Sequence, residues 1–133
     1  MTSKITYNGN LRTTCEHIKS GNTFITDAPT DNNGKGEAFS PTDTVVTALA
    51  SCMLTVMGIK ADQLNVDMIN ATAEVVKIMA SNPRRISKID MVIKLPKSYD
   101  EKTKSILEHT ANTCPVHFSL HPDIEKNISF VYG

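Results

Sequence analysis

At 133 residues the chain has the size of one ordinary domain, large enough to bury a core and too short for two independent ones. Hydrophobic residues make up 40% and charged residues 21%, a globular composition that excludes a disordered segment. Fourteen Lys plus Arg balance fourteen Asp plus Glu, so no net field or basic run favours nucleic acid or an anionic membrane surface.

The opening segment MTSKITYNGN is polar and lacks the apolar stretch of a signal peptide, and no apolar run is read as approaching a membrane span. A cytoplasmic location is therefore expected, with small molecules or a second copy of the chain as partners. Three cysteines, Cys15, Cys52 and Cys114, are too few and too far apart for a secreted disulfide scaffold. A disulfide between any two would be transient and chemical rather than structural.

In chain order, Lys4 to Tyr7 and Leu11 to Ile18 alternate as two strands around a turn at Asn8, Gly9 and Asn10. Thr23 to Thr26 adds a third. From Asp27 to Phe39 the chain collects Pro29, Asp31, Asn32, Asn33, Gly34 and Gly36, which predicts a long surface loop. Ser40, Pro41 and Asp43 then start a helix, with Ser40 as N-cap, Pro41 at the first helical position and Asp43 closing a capping box. Along it Val45, Leu49, Cys52, Met53 and Val56 fall on one apolar stripe, so Cys52 is expected to face the interior. This helix is expected to run to about Leu64.

Val66 to Met79 and Ile86 to Leu95 read as a long hairpin turning at Ser81, Asn82, Pro83 and two arginines. Ser98 to Glu101 is a second capping-box pattern, opening a helix whose Ile106, Leu107, Thr110, Ala111 and Cys114 share a face and which Cys114 closes. Pro115 stops or bends it, a short histidine-containing turn follows, and Asn127 to Tyr132 forms a final edge strand.

A cysteine on an apolar helical stripe is by default a small core residue. Cys114 weighs against that default, because two helix-borne thiols meeting in one interior can exchange electrons with a peroxide through a sulfenic acid. Both readings stand on the residues alone. A reactive thiol also needs a nearby cation, since a free thiol near pKa ~8.5 is mostly protonated at neutral pH. Cys52 lies about three turns into its helix, beyond the reach of the N-terminal dipole. Arg12 is the leading source of charge, with Arg84 and Arg85 as competitors. Cys114, His117 and His121, joined to Cys52, resemble part of a zinc site without its first ligand pair, and His117 is alternatively placed to tune the neighbouring thiol. Cys15 reads as packing, and His17 and His109 carry no readable role.

Leu11-Arg-Thr, Gly34-Lys-Gly-Glu-Ala-Phe, Ser40-Pro-Thr-Asp, Ala48-Leu-Ala-Ser-Cys-Met and Asn112-Thr-Cys-Pro-Val-His together resemble the OsmC/Ohr family, particularly its OsmC-like branch. The resemblance spans nearly the whole chain, residues 1–133, as a single OsmC-like domain. It implies an α+β fold with a long central helix packed on curved antiparallel sheets, built as an intertwined homodimer. It further implies a thiol-dependent peroxidase that reduces organic hydroperoxides without a cofactor or metal. Cys52 matches the peroxidatic cysteine, Cys114 the resolving one, and Arg12 the arginine that holds the thiolate. The implied reductant is a dithiol, in the Ohr branch a lipoylated protein. Leu49, Met53, Val56 and Phe118 would then line an apolar pocket for the peroxide's alkyl tail.

One position departs from the family pattern: a glutamate that follows the proline and holds the arginine is replaced here by Thr42. Asp43 and Glu37 are the carboxylates available to substitute. The departure keeps a second reading open, that of an OsmC-like redox or small-ligand-binding protein with little peroxidase activity.

Overall fold

The computed structural model describes all 133 residues, which divide into two compact units, Met1–Val45 and Val46–Gly133. In the first, β1 (Ser3–Gly9), β2 (Arg12–His17) and β3 (Thr23–Asp27) form an antiparallel sheet in the order β1-β2-β3. The β1–β2 turn uses left-handed backbone at Gly9, Asn10 and Leu11, residues of which Gly and Asn accept that conformation at least cost.

The register decides what each face carries. Ile5 lies opposite Cys15 and Cys15 opposite Phe24, so one face holds an apolar row across all three strands. Because side chains alternate, Arg12 and its partner Asp27 fall on the other face, with Thr14, Glu16 and Ile25. Ile5, Tyr7, Phe24 and Ile25 remain 48–64% exposed.

The predicted loop follows β3, with one short 3-10 turn at Thr30–Asn32. It folds tightly back on the end of β3: Gly36 N–H donates to the Ala28 carbonyl at 3.1 Å and Asp27 N–H to the Phe39 carbonyl at 2.9 Å. Gly34 permits this approach, since a Cβ there would sit 1.7 Å from the Ala28 carbonyl oxygen.

Helix α1 (Pro41–Gln63) begins as its sequence predicts. Asp43 N–H donates to Ser40 Oγ at 3.1 Å and Ser40 N–H to Asp43 Oδ2 at 2.9 Å, the reciprocal capping box. Its buried face differs from the predicted stripe. Val46, Leu49, Ala50, Met53, Met57 and Ala61 are buried, whereas Val45, Cys52 and Val56 are half-buried on the flank. Cys52 therefore borders the core instead of facing into it. Contrary to the sequence expectation, α1 is long and apolar enough to span a membrane by length and composition; its buried face is spent on the core.

In the second unit β4 (Thr72–Ala80) and β5 (Arg85–Leu95) pair antiparallel, and β6 (Glu125–Tyr132) pairs parallel to β5. The last strand is at the sheet edge as predicted, yet one of the three-stranded sheet's two pairings is parallel, not antiparallel. β4 begins at Thr72, later than the Val66 predicted from β-branched content. Between them, Ile69 N–H closes a turn on Asp67 Oδ1 at 2.8 Å and Asn70 takes a left-handed conformation; such local side-chain bonds compete with strand pairing.

Helix α2 (Glu101–Ala111) is capped by Asp100, whose side chain accepts from Thr103 N–H at 2.7 Å, not by Ser98. It ends at Ala111. Cys114 is thus not its last residue but the N-cap of a further short helix, α3 (Pro115–Ser119), with Pro115 at the first helical position. Ile89, Met91, Ile93 and Leu95 on β5, Leu107 and Ala111 on α2, and Cys114 join the α1 face in one buried cluster. Each fully buried Leu, Ile or Met contributes about 1.5–3 kcal/mol.

Candidate active site

The two helix-borne thiols converge in the second unit. Cys114 is 1% exposed, and Cys52 packs against the same cluster; neither is in a disulfide. Burial pushes the Cys114 thiol up, the His117 N–H draws it down, and its side-chain hydrogen bond and charge interaction with Cys52 push it up again. Cys114 is therefore held protonated at neutral pH.

The tuning expected of His117 comes from its backbone. Its N–H donates to Cys114 Sγ at 3.4 Å, while burial first and Lys126 second lower the ring's pKa, leaving a neutral imidazole whose buried Nδ1 has no hydrogen-bond partner. His121 Nδ1 accepts the Asp123 N–H at 3.0 Å. No three His, Cys, Asp or Glu side chains are grouped as metal ligands, so the zinc reading lacks its donor set.

Arg12 is organised within the first unit. Its Nη2 donates to Asp27 Oδ2 at 3.3 Å and to Glu37 Oε1. Glu37 thus meets the arginine that the family pattern assigns to a glutamate after the proline. Asp43 does not, being engaged in the α1 capping box, and the Thr42 hydroxyl lies 3.2 Å from Ser40 Oγ. Of the competing arginines, Arg85 is used in its own turn, donating to the Ser81 and Pro83 carbonyls at 3.0 and 2.9 Å.

Asp27 escaped the sequence reading, which placed it at the start of a surface loop. It is 1% exposed, and its Oδ2 also accepts the Glu37 N–H at 3.0 Å. That bond is the largest cause holding its carboxyl below the ordinary range; burial opposes it, and Arg12 reinforces it. The available signal was strand register: Asp27 directly follows the predicted third strand, Thr23 to Thr26, and the observed β3 extends by that one residue to pair it with Arg12.

The residues expected to line a substrate pocket differ in burial. Leu49 and Met53 are fully buried core residues, and Phe118 is 72% exposed; only Val56 is half-buried beside the cluster. An open groove of about 400 Å³ lies on the first sheet, lined by Ile5, Cys15, His17 and Phe24 among others. Cys15, 3.7 Å from the Thr13 hydroxyl, occupies the apolar row there.

Two small sheets, a long helix and Cys52 beside Cys114 at the edge of a shared core make this a small mixed α+β protein. The family described as OsmC-like protein matches residues 34–129, and the chain belongs to that family. A solved structure from Psychrobacter arcticus 273-4, named for a proposed role in the osmotic stress induced and detoxification response, is 53% identical, with 98% of this chain and 95% of that one covered and a TM-score of 0.95. The organic hydroperoxide resistance protein OsmC of Legionella pneumophila shares the fold at 13% identity, covering 98% and 97%, with a TM-score of 0.72. So does the organic hydroperoxide resistance protein OhrB of Bacillus subtilis, at 16% identity, 98% coverage of both chains and a TM-score of 0.67. No curated protein matches.

Proposed function

We propose that the protein is a thiol peroxidase that reduces organic hydroperoxides through a Cys52–Cys114 cycle. The observation that carries this reading is the meeting of Cys52 and Cys114 at one edge of the core. The Cys52 thiolate attacks the peroxide O–O bond and takes one oxygen as sulfenic acid, while the alkoxide leaves and is protonated to the alcohol. The Cys114 sulfur then displaces water from the sulfenic acid, forming the disulfide, and an external dithiol reduces that disulfide and is itself oxidised.

The protonated state of Cys114 suits the order of these steps. A thiol kept neutral by burial does not compete for peroxide, and it reacts once the sulfenic acid forms beside it. Arg12, held by a carboxylate, supplies the cation for the Cys52 thiolate; a guanidinium so held is a pre-oriented donor. We further propose that the protein works as a homodimer in a reducing, cytoplasmic setting, with a lipoylated protein as one candidate dithiol. The apolar side chains left exposed on the first sheet support the dimer.

The test is consumption of tert-butyl hydroperoxide by the reduced protein with dihydrolipoamide, beside hydrogen peroxide. Cys52-dependent turnover that prefers the organic peroxide is expected. The apolar groove on the first sheet favours one other reading, a small-ligand-binding protein with little peroxidase activity. Free thiols with no turnover, together with saturable binding of an apolar ligand that Phe24→Ala weakens, would replace the first reading with that one.

A further inference from the structure

We infer that Asp27 is the positioning residue for Arg12, and that Glu37, the more obvious replacement for the family's glutamate, is secondary. The inference rests on the assignment of Arg12 to the Cys52 thiolate. It deepens that assignment by naming the group that sets the guanidinium.

Of the two carboxylates touching Arg12, Glu37 makes the closer hydrogen bond and is the larger cause raising the guanidinium's pKa, but the two differ in backbone placement and burial. Asp27 sits directly across the β2–β3 ladder from Arg12, so the backbone register itself places the pair side by side. Glu37 reaches Arg12 from a loop, and its side chain is 61% exposed against 1% for Asp27. An exposed pair is screened by water and salt and gives up side-chain freedom to form. A buried carboxylate already ordered by its surroundings spends little more freedom on holding the arginine.

The loop also serves Asp27. Glu37 N–H donates to Asp27 Oδ2 at 3.0 Å, and the close return of the chain at Gly34 delivers that amide. The main chain of residue 37 thus orients Asp27 even if its side chain is altered. The charged form of Asp27 is favoured by this bond and by Arg12, so it remains an acceptor at neutral pH.

Asp27 has capacity to spare as well. Its Oδ1 is buried with no hydrogen-bond partner, and an unpaired buried anionic oxygen is costly. Arg12 has a planar fork suited to both oxygens of one carboxylate. When Glu37 is neutralised, the guanidinium is free to engage Asp27 through both, and the arginine keeps its place. Loss of the Asp27 charge leaves only the exposed, loop-borne partner.

The experiment is the pH dependence of Cys52 alkylation by iodoacetamide, read by mass spectrometry in the full-length reduced protein and its variants. Arg12→Met sets the full effect of losing the cation. Asp27→Asn is expected to raise the midpoint by about one pH unit, about a tenfold loss of thiolate below the midpoint, and Glu37→Gln by less than about 0.3 unit. Should Asp27→Asn fail to fold, Asp27→Glu keeps the charge on a longer arm and is expected to move the midpoint by about half a unit, still more than Glu37→Gln.

The opposite ranking, with Glu37→Gln matching Arg12→Met and the Asp27 variants near wild type, overturns the inference. So does an Asp27 variant that melts earlier while its midpoint stays put, because Asp27 would then be structural only. An unchanged midpoint in Arg12→Met has a different signature: it removes the assignment of Arg12 to Cys52, and this inference with it.

Discussion

In residues 46–133 the buried side chains are apolar, from Val46 on α1 through Ile89 to Ile93 on β5 to Cys114. In residues 1–45 the buried ones are Thr26, Asp27 and Ser40, and all three are polar. The second unit is held by a shared hydrophobic cluster. The first is a sheet whose order comes from strand pairing, a loop pinned by backbone bonds and an ion-pair cluster around a buried carboxylate. The second unit thus carries Cys52 and Cys114 beside an apolar cluster, and the first carries Arg12 among carboxylates. Burial among apolar groups favours a neutral thiol, and a polar, carboxylate-lined setting favours a fixed positive charge.

The largest expected effect tests the thiol cycle proposed for the second unit. Cys52→Ser is expected to abolish turnover of tert-butyl hydroperoxide, and Cys114→Ser to leave at most one turnover per subunit, with a sulfenic acid on Cys52 that dimedone traps. Sustained turnover in Cys52→Ser would remove the proposed mechanism. Next comes the apolar cluster: Met53, 0% exposed, should cost about 2–5 kcal/mol on truncation to Ala, measured by urea unfolding. The same truncation at Ile5, 57% exposed, should stay within about 0.5 kcal/mol in the monomer. If the first sheet is covered by a second copy, Ile5→Ala should also weaken association, making melting temperature fall with dilution more steeply than in wild type.

An effect smaller than that at Met53 is expected at the start of α1, where Ser40→Ala removes half of the capping box and should cost about 1 kcal/mol.

Acid titration sharpens the contrast further. The depressed pKa of Asp27 contributes stability that is present above the ordinary carboxylate range and lost as pH falls through its lower folded value. Asp27→Asn should flatten that acid limb, measured as melting temperature against pH below about 4. Cys114 gives the alkaline counterpart. Its raised pKa contributes stability that is full below the ordinary thiol range and is lost as pH rises through the folded value.

By itself the sequence determined the elements whose signals are local. Ser40, Pro41 and Asp43 announce the α1 start because capping chemistry acts within one turn. Gly9 and Asn10 announce the first hairpin, and the spacing of Leu107, Ala111 and Cys114 announces a face that is indeed buried. The family motifs singled out Cys52, Cys114 and Arg12 as candidate site residues. Tertiary structure decided what depends on residues far apart in the chain. The rotation of α1 that leaves Cys52 at the core's flank follows from which stripe β5 and α2 complete, and a periodicity of mixed small and large residues leaves that choice open. The parallel pairing of β6 depends on the path of the chain through α2 and α3. Asp27 became a buried partner of Arg12 only because strand register set the two opposite each other and the loop at Gly34 closed over them; an aspartate beside Ala28 and Pro29 otherwise reads as the first polar residue of a loop.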